Sequence, residues 1–497
     1  MLALLFVAVV TLGNVEDNRQ LHRYDVHINA ELTRMEVRAC FADGLPDRLI
    51  ANHPLARDAT VEFRYLRSGA AVSAQPRSNA ILLPTPSDDG CIEWTSDLSV
   101  IADAKRMNVG YRTEGSLLLA PGTWFWRPPS LTRNRDIEIR FHLPADMHIS
   151  VPWELLEAPT AATPVRVPYA SETSSTWRFR HGHAPMDWPA LMAIGELQSV
   201  TFDIAGTPFR LAVTDGPASI DTGKVLNWLQ PAADAVSQLW GEFPVDHVQL
   251  LAIPVAEGYD AAPWAQTSRG GGAAAHFYVN ANASESIFRD DWIATHELVH
   301  FALPFIRRSD AWLSEGFASY YQNVLRARGG LITEQQAWKA LHDGFIRGNR
   351  DTEYDTLRED TLYMHTRGRV MRVYWSGAAM ALLADVELRR RSNGEWSLDR
   401  VLEEFNRCCR ERERTWSARE VFAKFDELAD TELFGDLYNT NVYSRHFPRL
   451  SETWNALGIE TDGAELKLRG DAPLVAIRTA IMKPKKLQPA KTTTPDE

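Results

Sequence analysis

Trp292-Ile293-Ala294-Thr295-His296-Glu297-Leu298-Val299-His300-Phe301 is the stretch that decides how this chain is read. Its apolar residues, and the Pro304 that follows, predict a helix over 292–303. Within it His296 and His300 stand four apart. Positions i and i+4 of a helix lie one above the other, so the two imidazoles can reach one ion at the roughly 2.0–2.1 Å of a zinc–nitrogen bond. Glu297 falls beside them, where its carboxylate can take a proton from the water of a metal site. An isolated H-E-x-x-H also arises by chance on solvated helix faces. Here Trp292, Ile293 and Phe301 argue for a buried helix.

A catalytic zinc needs a third protein ligand and one open position. Glu315 is the candidate, in Trp312-Leu313-Ser314-Glu315-Gly316-Phe317-Ala318-Ser319-Tyr320-Tyr321. The residues between His300 and Glu315 are enough for Pro304 to end one helix and for the second, Ala311–Arg328, to pack back; Ser309 and Asp310 are its cap candidates and Gly329-Gly330 its stop. Large apolar neighbours make this an odd place for a carboxylate unless a cation neutralises it. The expected cofactor is one Zn2+ on His296, His300 and Glu315.

Outward from this pair the texture changes. Before it, helical spacing covers 225–240 and apolar runs predict strands over 248–253 and 275–279; after Glu334 the chain reads as helical, with a capping box at Ser417 to Glu420. Further back, period-two alternation (Tyr24, Val26, Ile28; Met35, Val37, Ala39, Phe41; Ile137, Ile139, Phe141) predicts half-buried strands. The expected class is α+β multidomain. Its parts are a signal peptide over 1–13, an all-β sandwich-like domain over 14–214, a catalytic domain over 215–330, a helical domain over 331–460 and a largely disordered tail over 461–497.

At 497 residues, 45% hydrophobic and with sixteen Trp, the chain is globular and long enough for several cores. Its formal charge of −12 argues against a general nucleic-acid binder, and an acidic patch would favour cationic substrates. The apolar run from Met1 to Gly13 is too short for an ordinary membrane span. It reads as a signal peptide, although no Lys or Arg precedes it. A periplasmic or secreted location is therefore expected, and a cytoplasmic one if the run is not a signal. No later stretch reaches the length of a membrane anchor. Cys40 and Cys91, both among predicted strands, are either disulfide-bonded or two buried thiols; Cys408 and Cys409 are expected as free thiols.

The W-L-S-E-G-F-A-S-Y-Y run after H-E-L-V-H resembles the gluzincin metallopeptidases, the aminopeptidase-like group whose third zinc ligand is a Glu. Tyr374-Trp375-Ser376-Gly377 and the helix that continues to Arg391, then Ser397-Leu398-Asp399, are similar to the glycyl aminopeptidase family. That resemblance implies an N-terminal β-domain, a thermolysin-like catalytic domain and a helical domain. Many relatives add a C-terminal PDZ domain, which is not expected here. It also implies that Tyr374 steadies the oxyanion of the tetrahedral intermediate; Tyr363 and Tyr320 compete for that role, and a core aromatic is the plain alternative.

Two departures stand out. Phe301-Ala302 replaces an aromatic-Asn pair, and the relatives' Gly-Gly-Leu-Glu-His signature becomes Gly270-Gly271-Gly272-Ala273-Ala274-Ala275-His276. Aligned on His276, the Glu that meets a substrate's free amino group becomes Ala275. Gly271 and Gly272 would let a substrate backbone approach, and His276 either lines the cleft or packs. The expected activity is zinc-dependent, aminopeptidase-like hydrolysis of peptides or proteins. An endopeptidase without the amine anchor and a non-catalytic binding protein are the alternatives. No G-x-S-x-G elbow supports a serine hydrolase.

Overall fold

The computed structural model describes residues 21–485 except 43, 68–69, 75, 84–89, 130–135, 160–173, 182–189, 270–271, 351–354, 410–413 and 463–464. The expected signal segment lies outside these residues. The fold is mixed α+β, β-rich at the N-terminal end and helical towards the C-terminus.

Alternation builds the first layer. His22–Ile28 buries every second side chain, including Tyr24, Val26 and Ile28. It sits inside an eight-stranded sheet in the order Glu154–Glu157, Ser174–His181, Ile137–Pro144, His22–Ile28, Arg34–Cys40, Cys91–Asp97, Thr60–Arg67, Ala70–Ser73. Cys40 and Cys91 are register partners on neighbouring strands and are disulfide-bonded. A second sheet, His148–Ser150, Met192–Gly195, Ser116–Leu119 and Gly110–Arg112, shares the core of the first. Its Ser116–Leu119 strand is buried throughout. Leu117 and Leu119 face that core, while Leu118 meets Ala212, Leu251 and Ile253 of the next region. The middle sheet is thus covered on both sides, which makes an uninterrupted apolar strand the stable choice.

The next region is built on a five-stranded sheet in the order Gln198–Ile204, Thr207–Val213, Val248–Val255, Ala274–Asn280, Trp264–Ser268. Its inner pairs are parallel and its outer pairs antiparallel. Two boundaries expected from sequence therefore move. Strands Gln198–Ile204 and Thr207–Val213, placed with the first domain, belong to this sheet. Alternating strands look alike in either sheet until their partner is known. The expected break between 330 and 331 falls within one continuous core running from Ile204 to Met482. Helices Thr222–Ser237, Ile293–Val299, Ala311–Arg328, Glu334–Asn349 and Val370–Arg391 all contribute to it. Among the described residues no helix is long and apolar enough to cross a membrane.

The tail is also more ordered than expected. Ile459–Asp462 and Glu465–Leu468 pair, and helix Val475–Met482 buries Ile481 and Met482. A buried charge network anchors it. Arg328 Nε donates to the Ile481 carbonyl at 2.8 Å and its Nη2 lies 3.0 Å from Asp399. Asp399 in turn meets Lys485 at 3.3 Å and accepts from the Tyr321 hydroxyl at 3.0 Å. Polar composition near the chain end concealed these contacts. Cys408 and Cys409 are a second correction, being bonded to each other at the end of helix Leu398–Cys409. Their adjacency ruled out metal-ligand spacing but kept both sulfurs within each other's reach.

Helices Ala311–Arg328 and Val370–Arg391 cross backbone to backbone. A Cβ built on Gly377 would run into the Trp312 carbonyl, and one on Gly316 into Gly377. Glu315 and Tyr374 flank this crossing. Gly377→Ala should therefore lower stability by about 1–3 kcal/mol through overpacking and reduce activity as well, since separating the helices moves both side chains. Thermal unfolding together with metal content checks this; an unaffected melting temperature contradicts the close crossing.

Candidate metal centre and cleft

His296 lies in helix Ile293–Val299, and His300 opens the 3-10 turn His300–Ala302 that ends it before Pro304. Asp291 starts the helix: its Oδ2 accepts from Ala294 N and from Trp228 Nε1, both at 2.9 Å. Helix Ala311–Arg328 has the bounds read from sequence and brings Glu315 across. The ligand atoms of His296, His300 and Glu315 all lie within 4.8 Å of one another. Glu315 Oε2 is 3.3 Å from His296 Nε2 and 3.5 Å from His300 Nε2.

The other ring nitrogens are held from behind. His296 Nδ1 is 2.7 Å from Gln322 Oε1, and His300 Nδ1 is 3.1 Å from Ser314 Oγ. Nδ1–H donating to the amide oxygen leaves the His296 Nε2 lone pair turned inward, the tautomer a metal requires. Two imidazole nitrogens with their rear faces tied down, and a carboxylate, are donor types that fit zinc. Electrostatics agree that a carboxylate persists there. Burial raises the Glu315 pKa, but His300 and His296 outweigh it and hold the carboxyl well below the usual range. Burial lowers the His296 pKa, and Glu315 overrides it in the opposite direction. In the bare triad, protons and metal compete for the same nitrogens.

A cleft of about 190 Å³ opens on His300 and Glu315 of this triad. Edge strand Trp264–Ser268 forms one wall; Glu297, His300 and Glu315 lie along it; Met364, His365 and Tyr374 also line it. The Thr267 hydroxyl lies 2.6 Å from the main-chain oxygen of Glu297 and 3.0 Å from its Oε2, so it steadies the carboxylate that faces the cleft. Tyr374 stacks on the His296 ring, centroids 6.0 Å apart and planes 5° from parallel. Burial, reinforced by Glu315 and Glu297, pushes its hydroxyl far above the ordinary tyrosine range, which keeps it a donor. The competing tyrosines are elsewhere: Tyr320 donates to Asp385 at 2.9 Å inside the core, and Tyr363 is exposed beneath Arg367.

Among the described residues, Gly272 and His276 are not part of the cleft lining. Gly271 lies outside the described residues. Gly272, at φ +137°, turns the chain beneath Pro152, whose carbonyl a Cβ would strike, so tight packing explains the glycine. Ala275 and His276 sit fully buried on the inner strand Ala274–Asn280. His276 Nδ1 is 3.4 Å from Gln266 Nε2, and burial lowers its pKa to about 4, leaving a neutral core histidine. Thr267 and Arg269, which do line the cleft, carry no motif and could be placed only by sheet order. Arg269 donates through Nη1 to the carbonyls of His300 and Leu303, the latter at 3.2 Å. Burial lowers its pKa to about 10, against the nearby charges of Glu315 and Glu297, so it remains a cation. Gln322 was readable in principle, standing seven residues from Glu315 on the same helix face.

Comparison with known proteins agrees. Residues 293–364 match the family model described as M61 glycyl aminopeptidase, bearing out the resemblance drawn from sequence. No curated protein matches the chain. An aminopeptidase N family protein from Idiomarina loihiensis superposes with a TM-score of 0.62 at 16% identity, over 88% of this chain and 78% of that one. An M1 zinc metallopeptidase from Deinococcus radiodurans gives 0.54 at 14% identity, over 87% of this chain and 94% of that one. A mutant of the latter bound to a Tyr-Ser-Ala substrate gives 0.54 at 15%, over 87% and 95%. At such identities the likeness is one of fold, while the family match supports a peptidase.

Gln322→Leu removes the acceptor behind His296 without adding bulk at the metal. Zinc affinity should fall about 10–100-fold, read by competition with a chromogenic chelator. Unchanged affinity would show that Gln322 does not orient the ligand.

Proposed function

We propose that this chain is a zinc-dependent metallopeptidase with an aminopeptidase-like architecture, hydrolysing peptide bonds with Glu297 as general base. The observation that carries the reading is one cleft lined by the triad's His300 and Glu315, by Glu297 with its carboxylate against Thr267, and by Tyr374, whose ring stacks on that of His296. When bound, zinc supplies a Lewis acid that polarises the scissile carbonyl and brings the attacking water's pKa towards neutrality. Glu297 takes a proton from that water and later gives it to the leaving nitrogen. Tyr374, protonated at any working pH, donates to the carbonyl oxygen as negative charge grows on it. A non-catalytic binder would have no use for a base so placed.

Endopeptidase action is the second reading. Among the described residues that line the cleft, Glu297 and Glu315 are the only carboxylates, and both already have roles. Among the described lining residues there is no third carboxylate to anchor a free amino group. The Cys40–Cys91 bridge suits an oxidising compartment and supports the periplasmic or secreted location read from the N-terminal run.

Glu297→Gln should keep stoichiometric zinc and lose turnover, whereas Tyr374→Phe should lower kcat by about 10²–10³ with little change in KM. Metal analysis alongside assays on free and N-blocked peptides reads both. Full activity of the Gln variant would remove Glu297 from the chemistry. Cleavage confined to free N-termini would select the aminopeptidase form over the endopeptidase.

A further inference from the structure

The helix that carries His296 is short, and its last turn is secured from outside. The final carbonyls of a helix have no intrahelical N–H to accept from. Here the helix passes into the 3-10 turn His300–Ala302, and Pro304 brings no N–H of its own to the break. The edge strand Trp264–Ser268 and the residue after it supply donors instead. The Thr267 hydroxyl reaches the Glu297 carbonyl at 2.6 Å, and Arg269 Nη1 donates to the carbonyls of His300 and Leu303, the latter at 3.2 Å. Glu297, His300 and Leu303 succeed one another by about one 3-10 turn, which brings their carbonyls along the side that meets the strand. Thr267 and Arg269, alternate residues of extended chain, project to that same side.

The two contacts divide the task. Thr267 holds the residue whose carboxylate faces the cleft, whereas Arg269 holds the main chain of a candidate metal ligand and of the residue before Pro304. The hydrogen bonds of Arg269 go to main-chain carbonyls, its guanidinium lies 6.0 Å from the Phe305 ring centroid, and its buried Nε has no partner among the described residues. A cation at a helix C-terminus is also favoured by the helix dipole. Ser314 Oγ, 3.1 Å from His300 Nδ1, sets the rotation of that ring, while the ring's position depends on the helix end that Arg269 holds.

We propose that Arg269 is a positioning residue of the metal centre, clamping the end of the ligand helix to the edge strand so that His300 keeps its place opposite Glu315. This rests on the zinc-peptidase reading and adds a residue to its machinery.

The test measures zinc affinity of the full chain by chelator competition, the melting temperature of the metal-free chain, and kcat and KM on whichever peptides the zinc-loaded chain cuts. Arg269→Met fills the space and loses the donors. It should weaken zinc about tenfold and lower kcat by about tenfold or more, with KM within about twofold of the wild type. Arg269→Lys, which keeps the charge but not the planar fork, should recover part of both losses. A merely structural role ties such losses to stability, and Tyr24→Phe is the control for it. That substitution removes a buried hydrogen bond to the Trp126 carbonyl in the first β-layer, and should lower the melting temperature while leaving zinc affinity unchanged. If Arg269→Met binds zinc as the wild type does, or if Tyr24→Phe weakens zinc as much, the proposal is overturned and the peptidase reading is untouched. If Arg269→Met does not fold, Arg269→Lys decides alone: weaker zinc at an unchanged melting temperature supports the clamp, and wild-type affinity, or a loss in step with stability, overturns it. Weakened zinc in a chain that cuts no peptide keeps the clamp and removes the peptidase; a wild type that binds no zinc overturns both.

Discussion

A carboxylate sunk among apolar side chains survives only if positive charge meets it. Glu315 is that carboxylate. Trp312, Phe317 and Tyr320 around it are buried, and its own side chain keeps only 20% of its surface. The imidazoles of His296 and His300 are what it faces. Almost everything else near the cleft can be understood as holding these three groups together. Pro304 stops one helix, the Gly316–Gly377 crossing lets the next two approach, and Gln322 and Ser314 fix the rings from behind.

The same crossing links ligand to chemistry. Because the Glu315 and Tyr374 helices touch through glycines, the Tyr374 ring can lie flat against His296. Their far ends are tied by the buried Tyr320–Asp385 hydrogen bond and through Asp399, which meets Arg328 of one helix and Arg389 of the other, and Arg328 also reaches the C-terminal segment. Buried ion pairs add little net stability but penalise misregistered packing, because a shifted helix strands a charge. Here that penalty keeps in place the two helices that carry Glu315 and Tyr374.

Much of this was legible in the sequence. His296, Glu297 and His300 follow helix periodicity alone, and Glu315 betrays itself as an acid in an apolar run; the bounds of Ala311–Arg328 follow from its flanking residues. What stayed hidden depends on partners distant in the chain. Period-two alternation could not say that Gln198–Ile204 and Thr207–Val213 belong with Val248–Val255. Nor could the sequence reveal that Gly272 turns under Pro152 while Trp264–Ser268 forms the edge. Among the described residues the cleft lining therefore holds Thr267 and Arg269, and not Gly272 or His276. The tail was misread because Arg328 and Asp399, which anchor it, are remote from it in sequence.

The central claim is that packing of two helices brings His296, His300 and Glu315 together as a zinc site. Zinc-edge X-ray absorption on the purified chain addresses it most directly. The account predicts one zinc per chain with two imidazole nitrogens and light oxygen ligands near 2.0–2.1 Å, no sulfur, and loss of the ordered signal in Glu315→Ala. Thiolate scattering, or a spectrum unchanged by that substitution, would place the metal elsewhere and contradict it.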